Sequence, residues 1–390
     1  MNCVQYKTAA DFDALFKQLA QKSEGRNPES YLDRWQGLWQ RLAQEPPEPS
    51  LLSGMAQAGA MSKADLSAGL RVILTGLSYG RPDFSGIKVP CRHRVAIVAA
   101  GNIPGVAVAP AVTLAAAGCP VVVKLSRSEP YFLPWLLEKW QESYAEPAGI
   151  VAHPWPADSP ATEALLSSAE TILAFGNDFT VWDIRDTYRR KQVFGFGQKF
   201  SIAWAGSGEP SPEQLRALAH DVALFRQNGC LSVQVVFVHG GKQEALDFAR
   251  QFAPVLDDVA RQFALPGAGL HSRQIQDELD LLGVHWAREC RPHASCVIMP
   301  EKFQHEFMRG GCVVQVVPAQ NIADAIAQIG SYWPAVQGVS LVWPEAGCRE
   351  QQELWNQQGV GYVRCAGQMQ APPLDWANGG IELPRAVCAG

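Results

Sequence analysis

The chain has 390 residues, of which 47% are hydrophobic and 18% are charged, and its formal net charge at pH 7 is -5. This length predicts about two domains, the composition excludes an intrinsically disordered chain, and the negative charge gives no general attraction to nucleic acid or anionic lipid. The N-terminus lacks the layout of a secretion signal, and the ten cysteines show no framework spacing. We therefore expect a cytoplasmic protein whose cysteines are reduced thiols.

The N-terminal part of the chain predicts helices. Apolar residues recur at helical spacing in two stretches, which contain Phe12, Leu15, Phe16, Leu19, Tyr31, Trp35, Leu38 and Leu42. Pro46-Pro47-Glu48-Pro49 indicates a linker, and Ser62 with Asp65 has the spacing of a helix cap. We expect residues 1–90 to form a helical section that packs on the body and carries no chemistry.

Residues 95–123 carry no charged side chain, but glycines and prolines interrupt them, which argues against a membrane-spanning helix. The pattern predicts a buried strand at 95–100, a tight turn, a helix at 106–117 with Gly118 as its left-handed cap, and a second strand at 120–124. In such a β-α-β unit, ligands bind at the carboxyl ends of the strands. Asn102 and Lys124 both lie there and are the first site candidates.

Helix and strand patterns continue to alternate, with helices at 131–144 and 161–168 and strands at 150–152 and 171–175. This alternation predicts a doubly wound parallel sheet. Gly176-Asn177-Asp178 then opens a helix, a position where backbone N–H groups can receive a phosphate. The same residues also fit a plain strand-to-helix turn.

A composition shift near residues 206–212 indicates a domain boundary. A helix is predicted at 212–225, then a glycine-containing loop with Cys230, and a strand at 233–238. A thiol in such a loop is placed like a nucleophile, although a small buried hydrophobe is the alternative. Further strands at 297–299, 313–317 and 339–342 predict a second α/β unit.

Four positions in this order resemble the aldehyde dehydrogenase superfamily: Asn102 in Gly101-Asn102-Ile103-Pro104, Lys124 in Val121-Val122-Val123-Lys124, Gly176 in Phe175-Gly176-Asn177, and Cys230. A narrower resemblance is to its acyl-CoA reductase branch, the fatty acid reductase of the bacterial luciferase type. The segments that carry it are Leu218-Ala219-His220-Asp221, 227–234, Gly367-Gln368-Met369 and 379–383.

The resemblance implies an aldehyde-dehydrogenase-like α/β fold with two doubly wound domains on parallel sheets. The expected boundaries are a helical section at 1–90, an NAD(P)-binding Rossmann-like domain at 91–206, a catalytic domain at 207–345, and a C-terminal segment at 346–390 that returns to the body. A homo-oligomer is also implied, as is membership of a multi-enzyme acyl-reducing complex.

The implied reaction is the NADPH-dependent reduction of an acyl thioester, on coenzyme A or a carrier protein, to an aldehyde. Cys230 would carry the acyl group, and Asn102 would stabilise the oxyanion. Lys124, Ser126 and Arg127 would bind the cofactor ribose or its 2′-phosphate, which favours NADPH and leaves NADH open. Gly176 and Phe196 complete the expected cofactor site.

Two departures from the family pattern stand out. Gly195, in Gly195-Phe196-Gly197-Gln198-Lys199, occupies the position of the glutamate base that aldehyde-oxidising members use, and thioester reduction has no hydrolytic step that needs it. The superfamily's ribose-binding Glu-x-Phe-Gly-Pro motif has no counterpart around residues 307–311.

Other interpretations stay open. An aldehyde dehydrogenase or an acyl phosphate reductase could use the same cysteine, and a noncatalytic acyl-transfer or scaffolding homologue could keep the fold. His285, Cys290, His293 and Cys296 could offer zinc ligands, but their spacing does not match common structural sites, so we expect no metal. A dyad of His220 with Cys230 is disfavoured by most of a helix between them.

Overall fold

The computed structural model describes residues 6–265, 267–291 and 295–388. Their helices are α1 (Ala9–Lys22), α2 (Pro28–Gln44), α3 (Pro49–Ala58), α4 (Lys63–Leu77), α5 (Val108–Ala116), α6 (Phe132–Tyr144), α7 (Pro160–Ser168), α8 (Asp178–Thr187), α9 (Pro212–Ala223), α10 (Lys242–Phe263), α11 (Ala268–Leu281), α12 (Ile322–Ile329), α13 (Glu345–Gln357) and α14 (Leu383–Cys388). None of these described helices is both long and apolar enough to cross a membrane.

The strands form two sheets. They are β1 (Val95–Val98), β2 (Val121–Lys124), β3 (Ile150–His153), β4 (Thr171–Phe175), β5 (Gln192–Phe196), β6 (Phe200–Ala205), β7 (Val233–His239), β8 (Ala287–Cys290), β9 (Cys296–Met299), β10 (Val313–Ala319), β11 (Val336–Val342) and β12 (Val363–Cys365). The first sheet has the order β3-β2-β1-β4-β5, and the second has the order β12-β11-β6-β7-β10-β9-β8. Helices alternate with strands along the chain, which confirms the predicted α/β class.

The chain divides into two compact units. The first contains residues 1–60, 70–198 and 372–390, and the second contains residues 61–69 and 199–371. This division differs from the predicted boundaries in two ways. The helical section belongs mainly to the first unit, and the chain leaves that unit after residue 198 instead of 206. Residues 346–371 belong to the second unit, and the return to the first begins at 372.

All strand pairs of the first sheet are parallel. Its central strands β1, β2 and β4 are buried along their whole length, as expected for strands covered on both faces by helices. The apolar stripe of α1 packs into this core with α7, and Trp35 of α2 stacks on Trp140 of α6 with their ring centroids 4.5 Å apart. The predicted amphipathic helices therefore cover the sheet.

The second sheet is parallel except at one edge, where β8 pairs antiparallel with β9. The predicted parallel arrangement holds for the other strand pairs of this sheet, and the antiparallel pairing of β8 is an addition to it. Cys290 and Cys296 on these two strands form a disulfide, and a second disulfide joins Cys348 to Cys365. These four cysteines correct the expectation that all ten are free thiols.

Most local predictions from residue 95 onward are confirmed within a few residues. The segment that begins at Pro49 is the helix α3 rather than linker alone, and strands β5, β6, β8 and β12 lacked a predicted counterpart. Gly118 has the left-handed backbone expected after α5, with φ of 88°. The predicted helix 212–225 ends at Ala223, because three left-handed residues follow it.

Gly195 lies on β5 where that strand packs against α8. A Cβ atom at this position would lie 2.2 Å from Cγ1 of Val181 and 3.1 Å from the guanidinium carbon of Arg185. The packing between strand and helix therefore requires glycine here. No larger side chain, including the glutamate of aldehyde-oxidising enzymes, fits unless α8 moves.

Asp221 is buried near the end of α9, and its carboxylate joins three segments of the second unit. It accepts hydrogen bonds from the Ser340 hydroxyl at 2.8 Å and from the backbone N–H groups of Gly367 at 2.8 Å and Met369 at 3.1 Å. Burial raises the pKa of Asp221 to about 7, although these three donors act in the opposite direction. The carboxylate therefore fixes the path of residues 367–369.

We expect Gly195→Ala to lower the free energy of unfolding by about 1–3 kcal/mol, because the added methyl group overpacks the contact with Val181. Gly37→Ala is the matched control, since Gly37 is exposed within α2 and its Cβ would have no neighbour within 4 Å. This control should stabilise the protein by up to about 1 kcal/mol. Urea unfolding of both variants measures the two effects, and wild-type stability of Gly195→Ala would contradict the packing described.

We expect Asp221→Asn to change how stability depends on pH. The unfolded chain ionises Asp221 near its ordinary pKa of about 4, whereas the folded protein ionises it at about 7. Between these values the unfolded state binds fewer protons, so the Asp221 contribution to stability falls by up to about 1.4 kcal/mol per pH unit. The asparagine variant lacks this contribution.

The measurement is the difference in unfolding free energy between the wild type and Asp221→Asn across this pH range. It should fall as pH rises towards 7 and then level off. The control is Asp183→Asn, which alters an exposed residue on α8. The difference in its unfolding free energy from the wild type should not vary with pH. A difference for Asp221→Asn that does not vary with pH would refute the raised pKa.

Candidate functional site

The turn after β1 and the loop after β2 lie against each other at the carboxyl edge of the first sheet. A Cβ on Gly101 would lie 2.2 Å from the Ser128 hydroxyl oxygen and 2.4 Å from that of Ser126, so only glycine allows this approach. The Ser128 hydroxyl donates to the Gly101 carbonyl at 3.0 Å. Asn102, the next residue, is exposed on this turn. The structure therefore brings the predicted Asn102 turn beside the loop that contains Ser126.

This edge is also where the direction of winding changes. β1 pairs with β2 on one side and with β4 on the other, so the loops after β1 and β4 leave the sheet at neighbouring positions. In open α/β sheets such a switch point forms a crevice that binds ligands. Asn102 follows β1, and Gly176 follows β4.

Lys124 ends β2 and is only 8% exposed. Burial and the nearby charge of Arg127 lower its pKa. Within the described ranges, the Lys124 ammonium group forms no ion pair and no hydrogen bond. A buried cation of this kind suits an oxygen-rich or anionic ligand.

Arg127 lies three residues further on and is exposed. Its guanidinium is 3.9 Å from the Asp158 carboxylate, and both side chains are more than two-thirds exposed. An ion pair of this kind contributes little to stability. The guanidinium can therefore exchange this partner for a ligand phosphate at low cost.

The turn after β4 is built as a helix start. Asn177 caps α8 by accepting a hydrogen bond from the Thr180 N–H at 2.8 Å, and the Gly176 N–H donates to the Phe196 carbonyl at 3.3 Å. The Asp178 carboxylate accepts from the Gln198 N–H at 2.8 Å. This acidic group in the first turn opposes a phosphate at the same helix end. Gly176 therefore fits a turn, while a phosphate contact there remains a prediction.

Phe196 ends β5, next to the end of β4. Its ring stacks on that of Phe175, with the centroids 4.4 Å apart and the planes 8° from parallel. Phe175 is buried and Phe196 is half-buried. The pair forms a rigid apolar wall at the same edge of the sheet as Lys124 and Asn102.

Cys230 lies in the second unit, in the loop that leads into β7. Before this loop, Phe225, Arg226 and Gln227 have φ values of 56°, 51° and 65°. Left-handed backbone in consecutive non-glycine residues is strained and persists only where the surroundings enforce it. The sharp reversal turns the chain from the end of α9 into the cysteine loop.

Side chains from distant parts of the unit enforce this turn. The Asp65 carboxylate accepts from the Phe225 N–H at 2.7 Å, and the Gln227 side-chain amide donates to the Val233 and Val313 carbonyls at 2.7 and 2.9 Å. The Gln234 amide in turn donates to the Gln227 carbonyl at 3.0 Å.

The glycine-rich loop before β10 adds a further support. The Gly311 N–H donates to the Arg226 carbonyl at 3.1 Å, and Gly310, Gly311 and Cys312 also have left-handed backbone. These residues lie in the stretch where the family's ribose motif was absent from the sequence. In this chain the stretch supports the turn before Cys230.

Cys230 itself is half-buried, and its carbonyl accepts a hydrogen bond from the Ser201 hydroxyl at 2.9 Å. Burial raises the pKa of its thiol to about 11, partly offset by the backbone N–H groups of Cys230 and Leu231. Those two N–H groups point at the sulfur. They can therefore stabilise a negative charge that develops there.

The far side of the cysteine loop is tied to the segment that Asp221 holds. The Gln370 side-chain amide donates to the Ser232 hydroxyl at 3.2 Å and to the Asp221 carbonyl at 3.3 Å. The Ser232 hydroxyl in turn accepts from the Gly229 N–H at 3.2 Å.

His220 packs its ring near Phe263, and burial lowers the pKa of His220.

Sequence reasoning missed Asp65, Asp221 and Gln370 as residues that position the site. Asp65 was expected to serve the cap of α4, and the Ser62 hydroxyl does accept from the Asp65 N–H at 3.1 Å, but the Asp65 carboxylate bonds to Phe225 instead. Asp221 lay within a family-like motif, Leu218-Ala219-His220-Asp221, which was the available signal. Gln370 gave none.

The zinc alternative for residues 285–296 loses two of its four candidate ligands. Cys290 and Cys296 are joined in a disulfide, which removes two of the four thiolate or imidazole ligands. His293 lies outside the described residues.

Comparison with known proteins places these observations in a family. A family model described as acyl-CoA reductase (LuxC) matches residues 69–383. A long-chain acyl-protein thioester reductase of Vibrio harveyi is 25% identical over 129 residues, which cover 32% of this chain and 27% of that protein. Its counterpart in Aliivibrio fischeri is 23% identical over 153 residues, which cover 36% and 31%. The chain thus matches less than a third of the length of either curated relative.

Solved structures match over almost the whole chain. A benzaldehyde dehydrogenase of Corynebacterium glutamicum, described as NAD-dependent, has a TM-score of 0.64 at 14% identity, covering 96% of this chain and 88% of that one. An indole-3-acetaldehyde dehydrogenase in complex with NAD⁺ has a TM-score of 0.67 at 13% identity, covering 92% and 81%. These likenesses confirm the predicted aldehyde-dehydrogenase-like fold. With the family model covering most of its length, the chain belongs to the LuxC acyl-CoA reductase family.

Proposed function

We propose that this chain reduces an acyl thioester to an aldehyde through an acyl-enzyme on Cys230. The observation that carries the proposal is the construction of the cysteine loop. A strained backbone turn, held by side chains from three segments, presents a half-buried thiol beside two backbone N–H groups. Family membership supports the same chemistry.

In the proposed reaction the Cys230 thiolate attacks the carbonyl carbon of the thioester. The Cys230 N–H donates to the oxyanion that forms, and the family resemblance implies the Asn102 side-chain amide as a second donor. The carbon–sulfur bond to the original thiol then breaks, and that thiol leaves with a proton. A nicotinamide cofactor, when bound, would supply hydride to the acyl carbon. The hemithioacetal anion on Cys230 would then lose its carbon–sulfur bond, which releases the aldehyde and restores the thiolate.

The pKa of about 11 makes Cys230 a neutral thiol at pH 7 before substrate binds. Only the thiolate is the nucleophile, so the thiol proton must leave before attack. The neighbouring N–H groups of Cys230 and Leu231 favour the thiolate and lower the cost of that step. Acylation of the free enzyme is therefore expected to accelerate as pH rises above neutrality.

Gly195 supports reduction over oxidation of an aldehyde. Oxidation to a free acid requires a base that activates water against the acyl-enzyme. The contact of Gly195 with Val181 leaves no room for a carboxylate side chain at this position. An acyl-enzyme on Cys230 would therefore react by hydride transfer instead of base-assisted hydrolysis.

The carboxyl edge of the first sheet fits a nicotinamide cofactor, which would supply the hydride. The buried Lys124, which has no hydrogen-bond or ion-pair partner among the residues that the structure describes, would donate to a ribose hydroxyl or phosphate, and Ser126 beside it offers a hydroxyl. Arg127 would bind a 2′-phosphate, which favours NADPH over NADH. The wall formed by Phe175 and Phe196 would limit the movement of a bound ring.

The acyl donor is proposed to be a thioester on a carrier protein or on coenzyme A. The curated relatives are named acyl-protein thioester reductases, which supports the first, and the family description supports the second. Both donors present the same carbonyl to Cys230. Their difference lies in the leaving thiol.

The first experiment measures NADPH oxidation and trapped aldehyde when the purified protein meets acyl-CoA, acyl carrier protein thioesters and acyl phosphate. We expect turnover with a thioester, none with Cys230→Ala, and a rate lower by about 100- to 1,000-fold with Asn102→Ala. Asn356→Ala is the matched control, because Asn356 is exposed on α13 and has no proposed role in the reaction or in cofactor binding.

The outcomes separate the alternatives. Turnover with acyl phosphate alone would assign the enzyme to that substrate, and a stable acyl adduct on Cys230 without turnover would indicate an acyl-transfer role. Full turnover by Cys230→Ala would refute the mechanism.

Arg127→Ala tests the choice of cofactor. Loss of a charged hydrogen bond to the 2′-phosphate should raise the KM for NADPH about 10- to 100-fold and leave the KM for NADH unchanged. Lys124→Ala should weaken both cofactors, since its proposed partner includes the ribose that they share. Steady-state kinetics with the two cofactors gives the comparison, and an equal effect of Arg127→Ala on both would rule out 2′-phosphate recognition.

A further inference from the structure

Three free cysteines form a buried cluster in the first unit. The sulfur atoms of Cys91, Cys119 and Cys388 all lie within 4.8 Å of one another, and those of Cys119 and Cys388 are 3.6 Å apart. The three residues are 5%, 1% and 7% exposed. They come from the segment before β1, the turn after α5 and the end of α14.

The fold brings the first two cysteines together through a close backbone approach. Gly118 has φ of 88°, and a Cβ there would lie 2.5 Å from Cβ of Pro90. The Cys91 N–H donates to the Ala117 carbonyl at 2.7 Å, and the Cys119 N–H donates to the Leu114 carbonyl at 3.0 Å. Backbone hydrogen bonds within the protein thus hold Cys91 and Cys119 in place without a bound ligand.

The spacing suits a metal ion better than a disulfide. Zinc–thiolate bonds are about 2.3 Å long, which places two sulfurs of a tetrahedral site roughly 3.8 Å apart. A disulfide requires about 2.05 Å and uses only two sulfurs, so it would leave the third thiol of this cluster unpaired. Thiolates are soft ligands that favour zinc or copper(I) over magnesium or calcium.

His93 is a candidate fourth ligand. Its ring nitrogens lie outside the group of three sulfur atoms that are all within 4.8 Å of one another, so its side chain would have to move to reach an ion there. Its backbone N–H donates to the Cys91 sulfur, and its ring lies near enough to interact electrostatically with that sulfur. Its ring Nδ1 is buried and has no hydrogen-bond partner among the described residues. Three cysteines and one histidine form a common ligand set of structural zinc sites.

We propose that Cys91, Cys119 and Cys388, with His93 as the fourth ligand, bind one structural Zn²⁺ ion. Binding would release the protons of the cysteine thiols as they become thiolates. The three cysteine ligands are buried and the His93 side chain is half-buried. With four protein ligands the ion would have no open position for a substrate. Because Cys388 ends α14, the ion would fasten the returning C-terminal segment to the first sheet.

The test loads the reduced full-length protein with Zn²⁺, removes unbound metal, and counts bound ions by elemental mass spectrometry. Titration with Co²⁺ gives the affinity, since thiolate ligation to cobalt produces a strong charge-transfer absorption. We expect one ion per chain. Changes to residues that only support metal ligands lower metal affinity by about 10- to 100-fold. Because Cys388 is a proposed ligand, Cys388→Ser should lower the Zn²⁺ affinity by more than this.

Two control variants locate the ion. Cys312→Ser removes a buried free thiol outside the cluster, and Cys230→Ser removes the proposed nucleophile. Both should bind Zn²⁺ like the wild type. If instead either control loses the ion while Cys388→Ser retains it, the assignment is overturned.

Thermal unfolding of the wild type provides a readout that needs no variant. Saturating Zn²⁺ should raise the melting temperature, and a chelator should reverse the shift, because an ion that binds only the folded state stabilises it. No bound ion and no shift in the reduced wild type would refute the proposal, whatever the folding of the cysteine variants.

Discussion

The left-handed turn at Phe225, Arg226 and Gln227 is the constraint on which the second unit depends. Each such residue costs on the order of 1–3 kcal/mol, and the protein holds three in succession. The cost is offset by buried hydrogen bonds that hold the turn in this conformation, from Asp65, Gln227 and Gln234. Strain that is enforced in this way commonly accompanies a functional site. Here it fixes where the chain turns into the loop of Cys230.

The fold and much of the candidate site could be predicted because short-range patterns determine them. The uncharged strands β1 and β2, with Gly118 between them, give an unambiguous local pattern, and Asn102 and Lys124 follow from their places after those strands. The carboxylate of Asp65 could not be placed in the same way. Its partner Phe225 is 160 residues away, and a capping spacing explained it equally well.

The antiparallel edge and the three-cysteine cluster escaped prediction for the same physical reason. Direction of pairing for a short strand such as β8 is set by the connection to its neighbour, not by its own side chains. Cys91, Cys119 and Cys388 are separated by up to 297 positions in the chain numbering and share no spacing motif. Contacts of this kind exist only after the fold has formed.

The return of residues 372–388 to the first unit has a consequence for biosynthesis. The whole of residues 199–371 must leave the ribosome before that segment does, which takes on the order of tens of seconds at about 5–20 residues per second. During this interval the surface of α5 that α14 will cover, and the sulfurs of Cys91 and Cys119, lack their final partner. The first unit is therefore the earlier of the two to begin folding and the later to be completed.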